Sequence, residues 1–376
     1  MSMLLDRVTP SQMMRVKRWA FLVFLFVPML PPVGWLFGEL SGMPDLFSFF
    51  SVFVIFGFIP IMDFVFGMER NNPTEEHENE AYADEKWFVV MPLLAVPAQL
   101  AMVIWGAYTF ATYESWSVIG QFGFILSVGC AGGVHGITIA HELVHKTTRR
   151  EQWAGGLLLA LVTYAGFKVE HVRGHHVHVS TPLDASSSRY NQSVYPFLRN
   201  AFVHNFLNAW SLEAKRLHNR KLPAFHWRNE LIWWYGISAL ILIVFVVAFG
   251  PLAGLFFLGQ SFFAAAELEV VNYIEHYGLH RRKLPDGRFE RVTPEHSWNS
   301  DYFLTNMFLF QLQRHSDHHA YPRRRYQMLR HFDNSPQLPA GYASMVVLAL
   351  IPPLWRRVMN PRVEAYYRDD PGQLAS

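Results

Sequence analysis

Long apolar runs alternate along the chain with short charged connections. Uncharged stretches cover 19–38, 46–62, 87–113, 115–140 and 231–266, against the roughly 20 residues a helix needs to cross a ~30 Å hydrocarbon core. The last run is too long for one crossing and is broken at Gly250-Pro251. It therefore predicts a helical hairpin whose second arm continues past Glu267 and Glu269 to about residue 275. The pattern predicts an all-α integral membrane protein with six transmembrane helices, at about 19–38, 46–68, 87–112, 117–140, 231–249 and 253–275. The remainder, about 141–230 and 276–376, is expected to form a histidine-rich cap on one membrane face, the whole of 1–376 being a single domain. Two apolar stretches are too short to cross. The first, 152–167, reads as re-entrant or interfacial, and 342–351, just ahead of Pro352-Pro353, as interfacial. Residues 71–86 form a polar acidic loop.

Charge orients this arrangement. The connections that share the far side, 39–45, 113–116 and 250–251, contain no Lys or Arg. All 32 basic residues then fall on the other side, including Arg15, Lys17 and Arg18, which the positive-inside rule assigns to the cytoplasm. Both termini and the cap are expected there. The first apolar run exceeds a signal-peptide core and no small-residue cleavage site follows it, so it reads as an uncleaved span. Composition agrees with a membrane protein, with 51% hydrophobic and only 16% charged residues, and nothing in it points to nucleic acid. The single Cys130 excludes a disulfide framework, a Cys-x-x-Cys metal knuckle and an iron–sulfur ligand set. Glycines 129, 132, 133 and 136 lie in the fourth apolar run at small-xxx-small spacing, which suits close helix packing better than nucleotide binding.

Histidines carry the chemistry. HELVHK supplies His141 and His145, at i, i+4 on one helical face. EHVRGHH supplies His171, His175 and His176, NYIEHYGL supplies His276, and LQRHSDHHA supplies His315, His318 and His319. All four segments are predicted at one membrane face. Buried imidazoles each need a polar partner, so clusters at this spacing have little use in packing and point to metal. The isolated His77, His204, His218, His226 and His331 read as ordinary surface or hydrogen-bonded residues, while the spacing leaves His135, His178, His280 and His296 undecided.

His-Glu-x-x-His is also the helix motif of zinc proteases. A catalytic zinc, however, takes about three protein ligands, which would leave most of the clustered histidines without a task. Nine imidazoles suit two metals with four or five each. Imidazole serves Zn, Cu, Fe and Ni alike, so spacing alone does not name the metal.

HELVHK, EHVRGHH, NYIEHYGL and LQRHSDHHA resemble the four signature segments of the membrane-bound alkane 1-monooxygenases, relatives of the fatty acid desaturases and xylene monooxygenase. The likeness extends through NNPTEE (71–76), TPLDASSSRY (181–190) and HSWNS (296–300), and covers about 45–360. It implies two iron ions in a non-haem di-iron centre, with the nine histidines as ligands. It implies O2 as oxidant, an n-alkane as substrate, and the inner membrane of a bacterium as the setting. Electrons are implied to come from rubredoxin, reduced by an NADH-dependent rubredoxin reductase. A rubredoxin fold needs four cysteines, so the donor is expected to be a separate protein. Related chemistries, methyl hydroxylation of the xylene type or acyl desaturation, share much of the pattern.

Supporting residues follow from helical geometry. Glu269 lies two turns before His276 and is expected to accept a hydrogen bond from a ligand imidazole, since an unpaired carboxylate this far into a span is costly. Glu142, Glu170 and Asp317 adjoin ligands and are expected to act similarly. On the second helix, Asp63 should face the bundle interior. Ile59, Phe56, Ile55 and Val52 share its face and, with Thr138, are expected to line the substrate channel. Arg281, Arg282, Lys283 and Arg323 to Arg325 are candidate contacts for an acidic electron donor.

Overall fold

In the computed structural model, residues 8–74 and 85–368 are described. Most of the acidic loop, with His77 and the Glu75–Glu76 end of the NNPTEE segment, lies outside them. The described residues form helices and connections, with no strands beyond three isolated bridges.

Helix α1 covers Pro10–Ser41. Thr9 caps it in a reciprocal capping box with Gln12, with Pro10 at the first helical position. Its middle, Phe21–Met29, tightens into 3-10 geometry around Pro28, which has no N–H to give to the carbonyl of Phe24. That carbonyl lies 3.2 Å from Nδ1 of buried His135. Helix α2 covers Phe50–Phe66, α3 Lys86–Thr112 and α4 Val118–Val144. Three of these boundaries differ clearly from expectation. Helix α1 begins a full two turns earlier, α2 starts later because a separate turn, Pro44–Phe47, precedes it, and α4 runs on through His141 and Glu142 with His145 as its C-cap. The charged motif does not end α4 because Glu142 pairs with Lys146 at i, i+4, 2.8 Å.

On the cap side, α5 (Arg149–Ala160) and α6 (167–178) are followed by the long α7 (Val194–His218). The hairpin forms as expected, α8 (Glu230–Phe249) and α9 (Pro251–His276) meeting at Gly250, whose φ of 90° favours glycine. Two short helices, α10 (Phe303–Phe308) and α11 (His315–Ala320), precede α12 (Tyr342–Ala349) and α13 (Pro352–Tyr366). By length and composition α1, α3, α4, α8 and α9 can cross a membrane; α2 is a shorter apolar helix. The protein is thus an all-helical, multi-pass membrane protein.

Helix α4 is the centre of the bundle and packs closely on α9. A Cβ on Gly129 would lie 2.6 Å from the Phe263 side chain and 2.9 Å from the Gln260 carbonyl, so only glycine permits this approach. Beneath the cap, a buried ion network ties α1 to the segment before α11. Lys17 contacts Glu69, Glu69 contacts Arg314 at 3.1 Å, and Arg314 Nε is 3.5 Å from Asp301. Arg314 also donates to the carbonyls of Leu329 and Glu69. The residue after it is His315, so the network holds the start of α11 against the bundle.

Candidate metal centre and apolar cavity

Three π-turns shape the site: Val54–Phe58 in α2, Gly133–Ile137 in α4 and His171–His175 in α6. Such turns insert one extra residue and re-aim the side chains that follow. In α6 the wider turn brings His171 and His176, at i, i+5, onto one face, while His175 turns to another.

The nine clustered histidines converge in two groups. His141, His145, His171, His176 and His318 form one, and His175, His276, His315 and His319 the other, with the ligand-capable atoms of each group within 4.8 Å of one another. Helices α4, α6 and α11 meet in the first group; α6, α9 and α11 meet in the second. Eight of the nine are buried and His176 is half-buried.

Their contacts are not those of a hydrogen-bonded cluster. Nε2 of His176 lies 3.1 Å from both His171 Nε2 and His318 Nε2. Nε2 of His319 lies 2.8 Å from His315 Nε2 and 3.2 Å from His175 Nε2. A neutral imidazole carries one N–H, so such trios of facing nitrogens cannot all be satisfied by one another. The buried Nε2 atoms of His141, His145 and His276 have no hydrogen-bond partner among the described residues. Adjacent nitrogens on one ion at ~2.1 Å would stand about 3 Å apart, which matches the spacings seen. Burial first, then the neighbouring imidazoles, pull His171, His176, His318 and His319 well below the usual histidine range. The neutral form so favoured is the one that binds metal. The donor set fits two metal ions.

His175 is oriented from outside the cluster. Its Nδ1 lies 2.9 Å from Asp184 Oδ2, which also accepts from Ser187 Oγ at 2.5 Å, while Oδ1 accepts from the Ser186 N–H at 3.1 Å. Burial opposes both charges, yet the contact prevails, raising His175 and lowering Asp184 from their ordinary values. Glu275 places Oε2 3.1 Å from His315 Nε2. Phe167 stacks on His171 with centroids 4.4 Å apart and covers that side.

These two carboxylates replace the four expected beside the imidazoles. Glu142 pairs with Lys146 and accepts from the Tyr326 N–H at 3.2 Å. Glu170 accepts from Asn208 at 3.3 Å, and burial, with the nearby Asp184 charge, pushes its carboxyl up to about 8. Asp317 is held by Arg324 at 2.6 Å and by the Arg330 N–H at 3.0 Å. Each adjoins a clustered histidine, and neighbouring residues on a helix point about 100° apart. Glu269 accepts from Tyr164, and from Asn205 and Asn272 at 3.2 Å each. It shares the His276 face but stands roughly 10 Å away along α9, where Tyr164 and Asn205 reach it first. Asp184 had a signal in the sequence, as the acid of TPLDASSSRY, and Glu275 another, as the direct neighbour of His276; neither has a periodicity that marks it.

The other described histidines stand apart from both groups. His135 is buried between Phe24 and the Ala95 carbonyl, His280 stacks on Tyr367, His296 contacts Thr293 and Glu290, and His331 bridges Asp301 and Asp333.

An apolar cavity lies within the bundle, one helical turn from clustered histidines at Thr138 and Leu312. With its mouth it encloses about 580 Å³. Thr138 and Leu312, each three residues before a clustered histidine, line its near end; Leu268, Phe308 and Val346 line its walls. Ile55, Phe56 and Ile59 also line it. Val52 is not among the lining residues; it is half-buried against the same apolar core as Ile55 and Phe56. Asp63 faces inward and accepts from the Thr305 N–H at 3.0 Å and Oγ1 at 2.5 Å.

Residues 114–349 match the fatty acid desaturase family. The chain is 57% identical to alkane 1-monooxygenase 2 of Pseudomonas aeruginosa over 98% of its own length and 97% of the relative's. It is 54% identical to alkane 1-monooxygenase 2 of Alcanivorax borkumensis, covering 98% of this chain and 97% of that one. A weaker likeness, 27% over 62% of each chain, links it to the hydroxylase component of xylene/toluene monooxygenase of Pseudomonas putida.

Proposed function

Because the chain belongs to the alkane 1-monooxygenases, within the wider fatty acid desaturase family, we propose that it hydroxylates the terminal methyl group of medium- to long-chain n-alkanes, using O2 at a non-haem di-iron centre. It is an oxidoreductase on the same grounds. The observation that carries this reading is the pairing of two all-histidine groups with an apolar cavity lined by Thr138 and Leu312, each three residues before a clustered histidine.

His141, His145, His171, His176 and His318 would hold one iron, and His175, His276, His315 and His319 the other. Bound there, the irons would supply O2 activation and the oxidising power to replace a terminal C–H bond by C–O. The side chains supply position and environment. Burial favours the neutral form of His171, His176, His318 and His319, Asp184 fixes the ring of His175, and Phe167 covers His171. An alkane has no polar handle, so orientation must come from the shape of the cavity: Thr138 and Leu312 admit one chain end to the histidines while the rest lies along the Ile55 wall.

Electrons are taken to come from rubredoxin, a separate protein reduced with NADH by its reductase, approaching the cap from the cytoplasm. The positive-inside bias supports a bacterial inner-membrane protein with both termini inside and α2 as a sixth crossing. Of the candidate basic contacts, Lys283 and Arg323 are exposed. Arg282, Arg324 and Arg325 are engaged by Glu290, Asp317 and Glu151, and Arg281 by backbone carbonyls, so the steering charge is smaller than their number suggests.

The test is product analysis with labelled dioxygen. Purified, iron-loaded protein with rubredoxin, its reductase and NADH should convert an n-alkane to the 1-alkanol carrying one labelled oxygen. Preference for an aromatic methyl group, or formation of a double bond in an acyl substrate, would move the protein to a related oxygenase class.

A further inference from the structure

The deep end of the cavity carries a carboxyl group. On α9 the cavity is lined by Val271, Leu268 and Glu267, in order of distance from His276; on α4 it ends at Val134 and Gly133. Glu267 is nine residues from His276 and Gly133 eight from His141, both about 12–13 Å along their helices. Ile55 meets them there from α2. Glu267 thus stands at the far end, away from the metal groups.

Its placement is specific. A Cβ on Gly133 would lie 2.3 Å from Glu267 Oε2, so the glycine leaves room for the carboxyl at the start of the α4 π-turn. Oε2 is buried and has no hydrogen-bond partner among the described residues. No Lys or Arg lines the cavity. Asp63, which does not line the cavity, is bonded by Thr305. An ionisable group within a span is expensive and generally functional, and a linear alkane offers Glu267 nothing to bond.

We propose that Glu267 is a hydrogen-bonding site for a hydroxyl at the distal end of the substrate, so that the enzyme also takes 1-alkanols hydroxyl-first and hydroxylates the opposite methyl group to give α,ω-diols. This rests on the reading of the cavity as the alkane site. The step balances as the alkane reaction does. One oxygen atom of O2 enters the far C–H bond and the other leaves as water, with two electrons from the same reductant and two protons. An alkanol bound the other way round is oxidised at its own carbinol carbon, giving an aldehyde after loss of water. The ratio of diol to aldehyde from one substrate therefore reports orientation in the cavity.

The experiment gives purified holoenzyme 1-decanol, with n-decane in a parallel reaction. Wild type should yield mainly the diol. Glu267→Leu should lower the diol-to-aldehyde ratio roughly tenfold, the effect of losing one hydrogen bond in a dry site, and Glu267→Gln should keep much of it because an amide still bonds a hydroxyl. Independently of turnover, an infrared difference spectrum of wild type should show a carboxyl band that shifts with 1-decanol and not with n-decane, and is missing in Glu267→Gln. An unchanged ratio in Glu267→Leu, or no band shift in wild type, overturns the proposal. Conversion of n-decane with no diol from 1-decanol overturns it alone, whereas conversion of neither substrate overturns the alkane reading with it.

Discussion

Ile55 lies at the deep end of the cavity, eight residues from Asp63, or roughly 12 Å of helix. Its substitution by Trp should block the deep end without touching the histidines. Ile55→Trp is expected to shift the product mixture from a pool of alkane lengths toward the shorter ones, the longest losing roughly tenfold, at unchanged iron content. An unchanged mixture in an iron-loaded variant would remove Ile55 from the channel. At the cap, His331 gives a pH signature. Its hydrogen bond to Asp301, at 2.8 Å, raises its pKa above the ordinary value near 6.5, with burial opposing. The folded state therefore holds the proton more tightly than the unfolded state, so this stabilisation is complete below about pH 6.5 and is lost as pH rises through the raised value. Thermal unfolding of wild type should weaken more steeply above neutral pH than that of His331→Gln; parallel profiles would contradict the assignment. The residues legible in the sequence were those whose role imposes a spacing. Eight of the nine histidines stood out because i, i+3, i+4 and i+5 spacings in three segments have no packing use, and His276 joined them from a fourth. Asp184 and Glu275 did not, since each acts from a single position across a contact that no periodicity encodes.

At the scale of elements, the apolar runs located the helices, and the hairpin at Gly250-Pro251 formed where the break was read. What the pattern could not carry was irregular geometry. The three π-turns follow from local packing, not from hydrophobic period, and the one in α6 accounts for His171 and His176 sharing a group. The glycines of α4 were legible as a packing surface, and the structure adds their partner. Gly129→Val would drive a side chain into Phe263 and the Gln260 carbonyl, at a cost of about 2 kcal/mol. A lowered unfolding midpoint in detergent is expected, and an unshifted one would mean that α4 and α9 have more room than their contact implies.

For the whole molecule, one side of the bundle carries both metal groups, closed by the cap and fastened by the Lys17–Glu69–Arg314–Asp301 network. Segments from 141 to 319 meet there, which is why no single segment could reveal the division of the nine histidines into five and four. The apolar cavity lies within the bundle one helical turn from clustered histidines, so the proposed alkane would approach them from within the bundle. The central claim is that two irons sit in the two histidine groups. Metal analysis of the purified protein tests it most directly: the account predicts about two irons per chain, and a single zinc per chain would contradict it.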